Sequence, residues 1–340
     1  MTLTAPELNP PAEVRKGDRW IKRRVSTLDA KRDYVEIVKL TTLFHVDEFF
    51  VDWAFTHIMC RATTGHSSKA ITREGTGKLV NKADNRFDDT SHHFLVWNEW
   101  GPGSPQTTRS VDIINALHSK YQKIYPSAFD DQPLWVYVIA WEVAGIAILA
   151  REVLGLPELD DKEKEARSIW GHKLAESFTY TDGTPLSDHM PPLETFEDWI
   201  DFVHEYESQP WVPDANSTAC ANAVLDKFEQ RHRWLPRSLA RALVTTFWHD
   251  GQFECNGIAR PTRFWRAAAK NYMRVHMVAM QLRPSPKESM VEKMLRETAE
   301  RGRTLPPIMR ASVGAGVESE DSSGGCPMGF GMVDPDKVHP

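Results

Sequence analysis

The chain has 340 residues, 41% of them hydrophobic and 26% charged, a globular composition with enough length to bury a large core. A formal charge of -6 excludes the concentrated basic surface that an extended phosphate lattice demands, so no nucleic-acid partner is expected; the short cluster RKGDRWIKRR at Arg15–Arg24 reads as a solvated arm. Four scattered cysteines, Cys60, Cys220, Cys255 and Cys326, with no CxxC pair, exclude a disulfide framework and thiolate zinc chemistry; with no apolar run at the start MTLTAPELNPPAEVRKGD, a cytoplasmic protein is expected.

Helical patterning recurs along the chain and strand patterning is scarce, which predicts an all-α fold. Residues 1–30 are expected to form a flexible arm, 31–310 a single helical domain, and 311–340, rich in Gly, Ser, Asp and Pro, a flexible tail. Phe44–Met59 is the first strong amphipathic segment, and the polar, Gly-punctuated stretch Ala62–Asn85 reads as loop with one short helix. Arg86–Trp100 (RFDDTSHHFLVWNEW) has helix length, and winding at 3.6 residues per turn puts Arg86, Thr90, His93 and Trp97 on one side. That side is too polar for a core face and, with its tryptophan, poorly suited to solvent, so it is a candidate pocket wall. GPGSP at Gly101–Pro105 ends this helix.

The next helix, Ser110–Tyr125, carries Val111, Ile114, Leu117, His118 and Tyr121 at spacings of three and four. Leu134–Ala150 is a 17-residue apolar run with Glu142 at its middle; a mid-bilayer carboxylate is costly, so a buried helix is preferred, with attachment to lipid the alternative. Asp160 reads as an N-cap with Glu163 three positions on, a capping-box pattern, and the inward side of that helix is Ala166, Ile169, Trp170 and Leu174. Further helices are expected at Leu193–Ser208, Ala215–Gln230, Pro236–Trp248, Pro261–Gln281 and Pro286–Arg301, the prolines sitting in first turns.

His118 lies on the apolar side of its helix, where an imidazole must find a hydrogen-bond partner or a metal. By itself it fits a satisfied core histidine. The preceding helix adds an arginine and a threonine four apart, and the three together supply the parts of a haem oxygen site: an axial imidazole and distal donors. The alternative is an Arg86–Asp89 pair on a surface helix. His93 shares the Arg86 and Thr90 side and could act as an acid or base, or simply pack on a neighbour. Arg109, near the start of the His118 helix, could hold a haem propionate or remain an exposed residue. Glu142, alone among apolar neighbours, is expected to have a raised pKa unless an arginine neutralises it. The HEYE at His204–Glu207 and WHD at Trp248–Asp250 lack HExxH spacing and read as helix surface; EGTGK at Glu74–Lys78 lacks the spacing of a phosphate loop, and no GxSxG occurs.

The order Arg-x-x-x-Thr at Arg86–Thr90, a loop, a helix with His118, a long apolar helix and IWG at Ile169–Gly171 resembles the oxygenase family of MpaB and the rubber oxygenases (latex-clearing proteins). The likeness runs from about Phe44 to about Leu282 and is diffuse outside these motifs. The resemblance implies a haem b with His118 as its axial metal ligand and Arg86 and Thr90 on the distal side. In the rubber oxygenases the distal motif is Arg-x-x-Lys-Thr, and the lysine position is Asp89 here; Asp89 is kept with Arg86, Thr90 and His93 among the catalytic candidates. The family's distal glutamate has no matching motif, Glu74 lying only in its general region.

The expectation is therefore an all-α, single globin-like helical domain enclosing a haem b between helices, with His118, Arg109 and Arg86 as cofactor contacts. The resemblance implies a haem-dependent oxygenase that activates O2 for oxidation or C=C cleavage of an apolar, unsaturated small molecule of terpenoid or polyketide type. The alternatives are a non-catalytic haem-based sensor or carrier, and a helical interaction module without cofactor.

Overall fold

The computed structural model describes residues 19–313 except Glu74, Lys82, Asp130 and Thr181, and except the side chains of 82–87. Every regular element among the described residues is helical. The chain opens with α1 (Trp20–Thr27) and α2 (Tyr34–Leu43), so the arm expected over 1–30 does not extend that far. Trp20 and Ile21 are buried, the Trp20 indole N–H donates to the Pro286 carbonyl at 2.9 Å, and its ring meets Phe44 edge-on at 5.5 Å. The basic run hides this because Lys22, Arg23 and Arg24 surround an apolar side of Trp20, Ile21 and Val25.

α3 (Glu48–Ala62) begins where the Asp47 side chain accepts the Phe50 N–H at 3.0 Å. Two short helices follow, α4 (Ser67–Thr72) and α5 (Lys78–Asn81), where one was expected. α6 (Ala83–Trp100) runs to Gly101. α7 (Pro105–Gln122) starts five residues before the predicted Ser110, because Ser104 accepts the Thr107 N–H and Pro105 takes the first position. GPGSP is thus both a stop and a start.

The apolar run forms α8 (Gln132–Ala140), a π-helical turn at Trp141–Gly145, the short α9 (Ile146–Ile148) and a second π turn at Leu149–Val153. The stretch Pro126–Val153 is long and apolar enough to cross a membrane, but 61% of its most apolar window is buried inside the protein. α10 (Asp161–Ala175) is capped by Asp160 as predicted, at 2.9 Å from the Glu163 N–H; Glu163 does not complete the box, its carboxylate accepting from Arg167 at 3.0 Å instead. Ala166, Trp170 and Leu174 face inward. Gly171 of the IWG motif is a close-approach site: a Cβ there would stand 2.4 Å from the Val143 methyl in the first π turn.

α11 (Phe196–Ser208), α12 (Ala215–Arg231), α13 (Arg237–Thr245), α14 (Asp250–Asn256), α15 (Arg263–Leu282), α16 (Met290–Glu300) and α17 (Pro307–Val313) complete the chain. The prolines expected in first turns stand before them: Pro236 is the N-cap of α13, while Thr262 and Ser289 cap α15 and α16 beyond Pro261 and Pro286. α14 and α17 were not predicted. Ile308 and Met309 of α17 are buried, so the packed chain extends past Ala311; residues 314–340, Cys326 among them, lie outside the described residues, as do 1–18. Cys60, Cys220 and Cys255 are free and buried, and burial pushes the Cys60 thiol up to about 12.

α6 sits at the centre of the packing, against α2, α5, α7 and α17. One buried cluster locks it: Lys39 of α2 pairs with Glu99 of α6 and, at 2.8 Å, with Glu292 of α16, while the Ser289 hydroxyl donates to Glu99 at 2.7 Å. A second joins α3 to α11. Glu207 accepts from Arg61 Nε at 3.0 Å, Tyr137 Oη at 2.6 Å and Trp141 Nε1 at 3.1 Å. Glu207 in the HEYE stretch is therefore a buried anchor and not helix surface.

Candidate functional site

The predicted polar side of α6 and the predicted apolar side of α7 line the same cavity, of about 220 Å³. Asp89, Thr90, His93 and Trp97 come from α6; Ile114, Leu117, His118 and Tyr121 come from α7. α8 and the first π turn add Trp135, Val138, Ile139 and Glu142. The walls are mainly apolar with a few convergent polar groups, the composition typical of small-molecule pockets.

His118 packs against the aromatic part of this wall. Its ring centroid lies 4.5 Å from Trp135 and 5.7 Å from Phe129, and those two rings stack at 5.7 Å. His93 is buried, with Nδ1 2.7 Å from Ser110 Oγ, and Trp97 donates its indole N–H to the same oxygen at 2.9 Å. His93 thus packs on a neighbouring helix, one of the two readings of the sequence, and also lines the cavity.

Among the polar groups not singled out as site residues from the sequence are Arg73 and Lys78 of the lining and, beside the cavity, Asn98. α4 ends at Arg73, whose φ of 46° makes it the one non-glycine residue in the left-handed region among those described. The chain then turns through Gly77, where a Cβ would lie 2.0 Å from the Ile71 carbonyl oxygen, so only glycine fits. This turn delivers Lys78 to the first position of α5, from which its ammonium pairs with the Asp89 carboxylate. Arg73 donates to the Tyr121 hydroxyl at 2.6 Å, its guanidinium 5.0 Å from that ring. The signal was the Gly-Lys of EGTGK, a turn glycine followed by a cation, which does not by itself show where the lysine goes.

Glu142 lines the cavity and is held by an amide, not by a neighbouring arginine: Asn98 Nδ2 of α6 donates to its Oε1. Burial pushes its carboxyl above the ordinary range, against the opposing pull of the Asn98 bond and the Arg167 charge. Arg109 is not among the cavity's lining residues; it lies on the other side of α7, where its guanidinium donates to the Ser312 carbonyl of α17 at 2.8 Å. The Arg86 side chain and Glu74 lie outside the described residues, although α6 carries the Arg86 backbone one turn before Thr90. No three His, Cys, Asp or Glu side chains gather as a bare-ion site among the described residues.

No protein-family model matches the sequence, and no curated protein matches it.

Proposed function

We propose that the cavity holds haem b and that the protein is a haem-dependent oxygenase, a single globin-like helical domain enclosing the porphyrin between helices. The observation that carries this reading is that His118 and the polar side of the Arg-x-x-x-Thr helix, on separate elements, open onto one apolar cavity. The donor set fits the group. A porphyrin brings four nitrogens of its own, so a single imidazole would serve in place of a cluster of ligands, and His118 sits among aromatic faces suited to a flat ring. Arg73, whose guanidinium lines the cavity, adds a cation suited to a carboxylate side group.

When bound, haem b supplies an iron that binds and activates dioxygen. The chain's own residues do the rest. His118 is the residue that would hold the iron, through the lone pair of a ring nitrogen. Thr90 and the Ser110-tethered His93 hold or pass a proton within the cavity, and Arg86 on the same helix adds positive charge. Asp89 is paired with Lys78, which sets it in place as a charged partner and not as a ligand. The apolar walls of Ile114, Leu117, Val138 and Ile139 exclude water and orient a substrate without polar groups. An apolar, unsaturated molecule of terpenoid or polyketide type matches them.

The test is to load the purified protein with haem b and record its Soret absorbance, then follow oxygen uptake with apolar alkenes. Haem-dependent uptake, with His118→Ala losing the Soret band while keeping its helical circular dichroism, is the expected result. A protein that stays colourless after loading overturns the reading, and one that binds haem without consuming oxygen is the sensor or carrier.

A further inference from the structure

α15 is buried on one side and apolar on the other. Ala269, Met273, Met277 and Met280 face the core, yet Phe264, Val275 and Leu282 are 69%, 68% and 65% exposed and Val278 is 39% exposed. At 100° per residue these four fall within one outward stripe, completed by Ala268 and Asn271, along a helix about 30 Å long. Isolated exposed apolar residues need no explanation, but an aligned set does. Beside the stripe Trp234 is 63% exposed, with its ring 6.5 Å from Tyr272 of α15.

Charge selects the partner. In a chain of net charge -6, this 20-residue helix has no Asp or Glu and carries Arg263, Arg266, Lys270 and Arg274. Arg274 Nε is spent on the Leu154 carbonyl at 2.6 Å, and the nearby acid Asp47 is taken by His276 at 3.2 Å and Arg283 at 3.1 Å. Arg263, Arg266 and Lys270 have no acidic partner among the described residues. Seating a second copy helix against helix would bring two acid-free basic surfaces together. A layer of anionic headgroups over hydrocarbon meets both features at once.

We propose that α15 is an interfacial helix that lays its outward stripe of Phe264, Val275, Val278 and Leu282 on an anionic lipid surface, with its basic flank among the headgroups. The contact is a surface one and does not involve the apolar α8 region, which is built into the core. It is independent of what the cavity holds.

Full-length protein is sedimented with vesicles of phosphatidylcholine alone and of an equimolar phosphatidylcholine and phosphatidylserine mixture, at low and high salt. Binding to the mixed vesicles that weakens with salt is expected. Arg263→Gln should weaken it by about fivefold, and Val275→Asp with Leu282→Asp should abolish it while leaving the melting temperature unchanged, since both positions face outward. Absence of vesicle binding, or equal binding by the aspartate variant, overturns the proposal. So does a concentration-dependent dimer that the aspartate variant breaks, which would make the stripe a contact between copies of the chain.

Discussion

His93 of α6 and Ser110 of α7 meet at 2.7 Å inside the protein, and the Trp97 indole shares the same hydroxyl. One small side chain thus orients two α6 groups that line the cavity. Ser110→Ala leaves a buried imidazole nitrogen and a buried indole N–H without this partner, a loss of about 1–3 kcal/mol. The expected result is a lower urea midpoint with unchanged denaturant slope; a midpoint equal to that of the parent protein would show that the hydroxyl orients nothing of consequence.

The Lys78–Asp89 pair predicts strong non-additivity. Either Lys78→Met or Asp89→Leu strands a charge in a largely buried position, at a cost of about 3–5 kcal/mol. The double variant strands none, and its stability should recover most of the loss. A double-mutant cycle by chemical denaturation measures this directly, and additive single effects would contradict the pairing.

Glu142 gives a pH dependence of known sign. Its folded pKa is raised by burial, so the folded state keeps the proton after the unfolded chain has released it. The stability this contributes is complete below the unfolded value of about 4.3 and is lost as pH rises through the folded value. Glu142→Gln, still able to accept from Asn98, removes that dependence. The variant should therefore gain in melting temperature relative to the parent as pH rises above about 4.3; parallel curves would place an ordinary carboxyl at this position.

Gly171→Ala should overpack the contact between α10 and the first π turn. The added methyl meets Val143 at 2.4 Å and the Trp199 ring at 3.1 Å, and Trp199 is fully buried. A loss of about 1–3 kcal/mol is expected, readable as a lowered melting temperature. No change would mean that α10 slides freely against the turn.

Much of the cavity wall is legible from helical period alone. The sides of α6 and α7 that carry Thr90, His93 and Trp97, and Ile114, Leu117, His118 and Tyr121, are those the 3.6-residue winding selects, because a side chain's direction on a regular helix follows from its position. Lys78 and Arg73 escape this reading. Their directions depend on a left-handed residue and a glycine pressed against a carbonyl, which leave no periodic trace. Glu207 escapes for another reason: its partner Arg61 lies 146 positions away, and nothing local marks this one carboxylate of HEYE as turned inward. The charge density around α1 masks the spacing of Trp20, Ile21 and Val25, and a Gly-Pro stretch reads as the end of one helix although Ser104 and Pro105 also begin the next.

The wide turns at Trp141–Gly145 and Leu149–Val153 each lodge a residue more than ordinary winding holds, so the α8 region stores slack in its register. Excising one residue from the first turn would let that turn close to ordinary winding while the segments on either side kept their seats. Trp135 would keep its place behind His118, and the change would fall on the turn itself, from which Glu142 reaches the cavity. The surplus residue thus aims one carboxylate, and the rest of the helix is indifferent to it.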